Sequence, residues 1–242
     1  MLEIQREITQ CDILIIGGGI AGLMAAIAAA DQGAKVCVAE KADSRRSGSG
    51  ATGNDHFICY IPEVHPSIDA FVAEMKAGIC GDRVDTSLQY KFAERSFEVV
   101  QDWEKWGINM RPHGEWEFNG HAMPEHIRIM LKYDGTKQKK VLTQEAKKRG
   151  VIIANKSPIT EFLADETGKV IGAIGLDISN DVPTIKLYQT KAIITATGIG
   201  MRLYPSSTPG WIGNLNNCPA GTATGRVAAY KIGATLVNVD YL

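Results

Sequence analysis

From Ile13 to Ala30 the chain runs for 18 residues without a charge, and the way this run is punctuated limits what it can build. Its length is about the minimum for a membrane-spanning helix. Three adjacent glycines, 17 to 19, break it in the middle. The half before them, Ile13-Leu14-Ile15-Ile16, is mostly β-branched, whereas the half after is rich in alanine, so the two halves favour different secondary structures. The run therefore reads as a buried strand over 12–16, a tight turn, and a buried helix over 20–32 that ends at Gly33, and a membrane span is rejected. A second strand follows at 35–39 (KVCVA), and a crossover through one helix lays the two strands parallel.

Composition narrows the class. The chain has 242 residues, 45% of them apolar, enough for a large core, and its 26 basic residues against 27 acidic ones argue against a partner bound through bulk charge such as nucleic acid. The start MLEIQREITQ carries two glutamates and one arginine and does not resemble a secretory leader. Five cysteines (Cys11, Cys37, Cys59, Cys80, Cys218) are odd in number and far apart, which fits a reducing, cytoplasmic setting and excludes a cysteine-held zinc or iron–sulfur site within the chain. The five histidines show no metal-ligand spacing, so no metal is expected, although His56 is noted for following a glycine-rich loop.

Further along, 42–66 reads as an extended Gly/Ser/Asp-rich loop, followed by helices near 67–78 and 84–106. Leu88, Phe92, Phe97, Val100 and Trp103 form the expected inner face of the second helix. Residues 107–126 show no period and read as irregular. The stretch Lys132–Arg149 holds seven basic and two acidic residues. It is read as a helix over 136–150 with Val141, Leu142 and Ala146 inward and its lysines in solvent, in preference to an anion-binding patch. Short β-rich runs are expected at 151–154, 158–164, 169–176 and 184–189, then a buried strand at 192–196, a loop over 198–221, a helix near 222–232 and a strand at 235–239.

The chemistry-bearing motif is Gly17-Gly18-Gly19-Ile20-Ala21-Gly22, a GxGxxG placed after a strand and opening a helix. Gly17 permits the turn, Gly19 lets a pyrophosphate approach the positive end of the helix, and Gly22 allows close helix–strand packing. Glu40 ends the second strand 21 residues after Gly19, where a carboxylate accepts from the hydroxyls of an adenosine ribose and disfavours a 2′-phosphate. This points to FAD or NAD. After Glu40-Lys41 the chain enters Ser47-Gly48-Ser49-Gly50-Ala51-Thr52-Gly53-Asn54-Asp55 instead of a further strand–helix repeat, which favours FAD, because such a loop offers backbone N–H groups and hydroxyls to a ribityl chain and flavin ring.

With these pieces in place, the chain resembles the flavoprotein subunits of fumarate reductase, succinate dehydrogenase, L-aspartate oxidase and adenylylsulfate reductase. The matching segments are CDILIIGGGIAGLMAAIAAADQGAKVCVAEK, RRSGSGATGND, DWEKWGI, LTQEAKKRGVIIANKSPITEFLADETGKVIGAIGLD, KAIITATG and GRVAAYKIGATLVNVDYL, in the family's order. RRSG and DWEKWGI are most similar to adenylylsulfate reductase and to fumarate-reductase-like proteins of anaerobes. The resemblance implies an α/β, Rossmann-like FAD-binding domain over 1–242, with a mostly parallel sheet and a small antiparallel β insertion near 158–190. It implies pyrophosphate contacts at Gly17, Gly19 and Gly22, an adenosine ribose contact at Glu40, and further cofactor contacts at Ile20, Ala21 and Lys41. Ser47, Gly48, Ser49, Ala51, Thr52, Gly53 and Asn54 would follow the phosphates and flavin. Ile159 would offer its main chain to the adenine, and Thr197 and Gly198 would form a second dinucleotide turn.

The resemblance also implies an oxidoreductase acting on a small anionic substrate with an iron–sulfur or other redox partner, reaching a membrane only through that partner. Three departures qualify it. Ala223-Thr224-Gly225 stands where the family often has Gly-Asp-Gly, and Gly48 occupies the position of the flavin-linking histidine of succinate dehydrogenases, so FAD is expected to be noncovalent. The sequence stops before the family's capping domain, which carries the substrate arginine and histidine, so catalytic residues are not assigned. A flavin-binding electron-transfer or assembly subunit without its own substrate site is the alternative reading.

Overall fold

A computed structural model describes residues 5–51, 53–80, 84–118, 127–200 and 220–238; the side chains of residues 79 and 80 are not described. The chain divides into two compact units, one made of 1–52 and 142–242, the other of 53–141. The sequence shows no composition shift at either boundary.

The first unit is built on two sheets. Strands β2 (Ile13–Ile16), β3 (Val36–Ala39), β6 (Ile152–Ala154) and β10 (Ala192–Thr195) form an entirely parallel sheet in the order β10-β2-β3-β6. Its registers pair Ile13 with Val36, Cys37 with Ile152 and Ala192 with Ile13. The centre of β2 and all of β3 are buried, as expected of strands covered on both faces. Between them, α1 (Ile20–Asp31) turns Gly22, Leu23, Ala26 and Ile27 inward, a stripe of mostly small residues that lets the helix lie close to the strands. The uncharged run of 18 residues is thus β2, the turn and α1. No helix among the described residues is long and apolar enough to cross a membrane.

The expected antiparallel insertion is present as β7 (Ile159–Ala164), β8 (Val170–Asp177) and β9 (Thr184–Gln189). The Asp165 carboxylate shapes the β7–β8 turn by accepting from the amides of Thr167 and Lys169. This sheet also holds a strand that the sequence did not suggest, β1 (Arg6–Gln10), lying parallel to β9 from Arg6 opposite Ile185 to Gln10 opposite Gln189. The core here gathers Cys11, Leu14, Ile16, Cys37, Ala39, Ile159, Phe162, Ala173 and Tyr188 from the two sheets, with Ala228 from α5 (Thr224–Lys231). Burial pushes the Cys37 thiol up to about 12, so it behaves as a small core residue. The strand expected at 235–239 is not formed over 235–238, where Asn238 has a left-handed φ of 54° and no ladder partner is found among the described residues; Val239 lies outside them.

The second unit contains α2 (Ile68–Met75), continued by a π-helical turn (Lys76–Cys80), α3 (Thr86–Lys105), and a two-stranded antiparallel ribbon of β4 (His56–Ile58) and β5 (Met130–Lys132). Both long helices start on side-chain caps, Ser67 accepting from Ala70 N and Asp85 from Ser87 N. The inner face of α3 differs from the expected one. Leu88 and Phe92 are 63% and 41% exposed, while Gln89, Ala93, Ser96, Val100 and Trp103 are buried. Ser96 is inside because its hydroxyl accepts from Tyr60 N and donates to Ala93 O, a long-range reason that helical periodicity does not reveal. The basic stretch forms α4 (Gln138–Lys148). Leu142 and Ala146 are buried as expected and Lys137, Lys140, Lys147 and Lys148 face solvent, but Lys139 is buried. Residues 107–118 are irregular apart from one bridge, Asn109 to Asp134, and 119–126 lie outside the described residues.

Candidate dinucleotide site

The turn between β2 and α1 shows three glycines under three different constraints. Gly17 has φ +103°, donates to Ala39 O at 2.9 Å, and would place a Cβ 2.5 Å from Ala196 O, so only glycine fits between the ends of β3 and β10. A Cβ on Gly22 would stand 1.9 Å from Gly17 O, so its absence is what allows α1 to meet the turn. Among the described residues, Gly19, the N-cap of α1, has no heavy atom within 4 Å of the Cβ position, and no side chain caps the helix. The first-turn N–H groups at Ile20 and Ala21 lie at this uncapped end, where the helix dipole favours an anion.

Glu40, at the end of β3, is only 6% exposed, yet both its carboxylate oxygens are placed by main chain. Oε2 accepts from Gly18 N and Oε1 from Ala42 N, each at 2.7 Å. Its own backbone is fixed by Glu40 N donating to Ala154 O and Ser157 N donating to Glu40 O, both at 2.8 Å. The carboxylate is thus held beside the glycine turn with lone pairs remaining for further donors.

The loop after β3 returns over α1. A Cβ on Gly48 would lie 3.9 Å from Gly19 Cα, and Ala51 N donates to Gly48 O at 3.1 Å. The hydroxyl of Ser47 is buried and has no hydrogen-bond partner among the described residues. Ser49 is exposed and Ala51 half-buried. Thr52 lies outside the described residues. The loop is anchored from behind by Ser44 N donating to Asn155 Oδ1 at 2.9 Å.

At the end of β10, Ala196 N donates to Ile16 O at 2.8 Å, and Thr197 packs on Gly225 of α5, where a Cβ would come within 2.7 Å of its Cγ2. Gly198 O accepts from Arg226 at 3.3 Å. The Lys41 ammonium is spent on the segment leading into α5, donating to Ala220 O and lying 3.5 Å from Thr222 Oγ1. Lys41 thus ties 220–222 to the end of β3, a connection that sequence reasoning missed. Ile159 begins β7 with its side chain in the core and its backbone opposite Gly175 of β8.

Gly53 and Asn54 belong to the second unit. A Cβ on Gly53 would lie 3.0 Å from Thr136 Cα, and Asn54 O accepts from Gly135 N at 2.9 Å. His56 Nδ1 lies 2.9 Å from Asp55 Oδ1.

Comparison with known proteins gives one consistent answer. The chain is 27% identical to the acrylate reductase flavoprotein subunit of Shewanella woodyi, over 96% of this chain and 49% of that one. It is 26% identical to a subunit of the CoM/CoB fumarate reductase of Methanothermobacter marburgensis, over 98% of this chain and 42% of that one. The chain thus spans about half or less of these relatives. Among solved structures, adenylylsulfate reductase of Archaeoglobus fulgidus superposes with a TM-score of 0.80 at 28% identity, covering 96% of this chain and 37% of that one. A family profile described as FAD binding domain matches residues 12–242. The chain belongs to the FAD binding domain family, and FAD is its cofactor.

Proposed function

We propose that the chain is the FAD-holding part of an oxidoreductase of the fumarate reductase and adenylylsulfate reductase type, in which noncovalent FAD exchanges electrons with a small anionic substrate and a redox partner. The single observation that carries the cofactor assignment is the pairing of an open helix N-terminus at Gly19 with the Glu40 carboxylate beside it. The buried, unpartnered Ser47 hydroxyl adds a polar group that a ligand would satisfy, so the residues present fit FAD.

In this reading the α1 N-terminus, from Gly17 to Gly22, takes the pyrophosphate, and Glu40 accepts from the adenosine ribose hydroxyls while Gly18 N and Ala42 N hold it in place. Ser47, Gly48, Ser49, Ala51, Thr52, Gly53 and Asn54 line the path of the phosphates and flavin. Lys41 acts by fixing 220–222, Ile159 lends its main chain to the adenine, and Thr197 and Gly198 close the second turn. Bound FAD supplies the electron-transfer chemistry itself. The relatives' names support the reductase activity, and their description as subunits supports a partner, which we assign to the iron–sulfur class. Buried free thiols at Cys11, Cys37 and Cys59 support a cytoplasmic setting.

The test is Glu40→Ala, with FAD and FMN titrated separately. Loss of a charge-assisted hydrogen bond is worth about 1.5–3 kcal/mol, so the Kd for FAD is expected to rise roughly ten- to a hundredfold. FMN, which lacks the adenosine, should bind as before. Equal weakening of both would show that Glu40 serves only to hold the turn.

A further inference from the structure

The parallel strands β2, β3 and β10 have two ends of different character. Gly17, Glu40 and Thr197 follow these strands, whereas Asp12, Lys35 and Lys191 immediately precede them, roughly 13 Å away along strands of four residues. At this second end the first unit has a recess of about 710 Å³, a size that suits a small organic ligand. Its apolar lining includes Leu163 and Ile171 of the β7–β8 hairpin and Leu187 of β9, and its charged lining is Asp12, Lys35 and Lys191. A lone exposed isoleucine is ordinary, but Ile171, 46% exposed, lines a concave surface together with two further large apolar side chains.

The three charges are not equivalent. Lys191 Nζ lies 2.6 Å from Asp12 Oδ1, and the Lys35 amide donates to Asp12 Oδ2 at 2.8 Å. The Lys191 ammonium, with the Lys35 amide, holds the Asp12 carboxyl below its ordinary range, and Asp12 holds the Lys191 ammonium above its own, so both stay charged and offset each other. Among the described residues the Lys35 ammonium makes no ion pair, which leaves one positive charge in excess. The main chain carrying these groups is fixed: Lys191 N donates to Asp12 O at 3.1 Å, and the buried Thr190 Oγ1 lies 3.0 Å from both Asp12 O and Ala192 O.

We propose that this recess binds a small monocarboxylate with an apolar body, its carboxylate meeting the Lys35 ammonium and its apolar part covering Leu163, Ile171 and Leu187. The single excess charge matches a monoanion, and the neighbouring Asp12 carboxylate disfavours a phosphate or another dianion. An inorganic anion would leave the apolar lining in water, and an uncharged apolar molecule would leave Lys35 unmatched. The site lies at the end of the sheet away from Glu40, so it goes beyond the function proposed above and stands whether or not Glu40 contacts FAD.

The test titrates octanoate into the full chain loaded with FAD, by calorimetry, with octanol as the uncharged counterpart and acetate as the anion without an apolar body. One octanoate per chain is expected, bound about tenfold more tightly than octanol, with no detectable heat from acetate. Lys35→Gln should raise the octanoate Kd about tenfold and leave that of octanol unchanged, and Lys35→Arg should restore octanoate binding. Ile171→Glu, which sets a second carboxylate at the recess, should abolish octanoate binding. Lys147→Glu, at an exposed lysine of α4 outside the recess, should bind octanoate as the wild type does. The Kd for FAD should be the same in all these variants, which shows that the fold and the dinucleotide end are intact. Failure of the wild-type chain to bind octanoate would overturn the proposal, as would octanoate binding that survived Ile171→Glu. Equal losses in Lys35→Gln and Lys147→Glu would reduce the effect to overall charge, and release of FAD by octanoate would place the octanoate in the dinucleotide site; either result also overturns the proposal.

Discussion

Gly19 and Gly22 stand three residues apart in one turn, but they carry opposite consequences for substitution. At Gly22 an added Cβ meets Gly17 O at 1.9 Å, a backbone atom that cannot move without opening the turn. At Gly19 it meets nothing within 4 Å, and the backbone, at φ −70° and ψ −177°, is open to any residue. Gly22→Ala should therefore lower stability by roughly 1–3 kcal/mol, as overpacking of a fixed site does. Gly19→Ala should leave stability unchanged or raise it by up to about 1 kcal/mol through a less flexible unfolded chain. For FAD the order reverses in meaning: the Gly19 methyl would occupy the space open to the pyrophosphate, so its Kd should rise with no change in Tm of the ligand-free protein. Thermal melts of both apoproteins, with FAD titrations of Gly19→Ala, check the pair. A destabilised Gly19→Ala that bound FAD normally would contradict the assignment of that space. The close packing at Gly17 and Gly22 was legible in the sequence because it depends on spacing within six residues. The tie from Lys41 to Ala220 and Thr222 was not, since nothing local to Lys41 announces a partner 179 residues away.

At the scale of elements, α3 shows how a correct boundary can come with a wrong face. The sequence places the helix within two residues of Thr86–Lys105, but large apolar residues suggest Leu88 and Phe92 as core. The structure buries Gln89, Ala93, Ser96, Val100 and Trp103, which recur every three or four residues and include small and polar side chains. Trp103, 1% exposed and edge-on to Phe57 at 5.3 Å between ring centroids, is the anchor of this face. Trp103→Ala is expected to cost about 3–5 kcal/mol, and Leu88→Gln to stay within about 0.5 kcal/mol. Chemical denaturation of the two variants distinguishes the faces, and a large loss for Leu88→Gln would restore the face suggested by size. The same limit explains β1, β4 and β5. Arg6–Gln10 is mostly polar and exposed, and gains its strand character only from the main chain of β9. The two ribbon strands have three residues each, too few for a period. Elements with their own periodicity, such as β2, α1, β3 and the β7–β8 hairpin, were legible within one or two residues.

At the scale of the whole molecule, the first unit is assembled from two separate stretches of chain, 1–52 and 142–242. The proposed cofactor contacts of this unit are likewise divided, with Gly17 to Thr52 in one stretch and Ile159, Thr197 and Gly198 in the other. A ligand that needs both stretches in place binds only the folded unit and stabilises it by mass action, about 2.7 kcal/mol at a hundredfold excess over Kd. The Tm should therefore rise with FAD concentration, and the same logic decides how the flavin is held. Gly48 has no nucleophile, so every contact available in this unit, from the α1 N-terminus to the Glu40 carboxylate, depends on the fold and vanishes with it. The rival nucleophile is His56, whose ring nitrogen Nδ1 already lies 2.9 Å from the Asp55 carboxylate. Acid precipitation of the FAD-loaded protein should leave a yellow supernatant over a colourless pellet. Flavin fluorescence that stays with the denatured polypeptide would show a covalent bond, and mapping the labelled peptide would decide whether His56 had formed it.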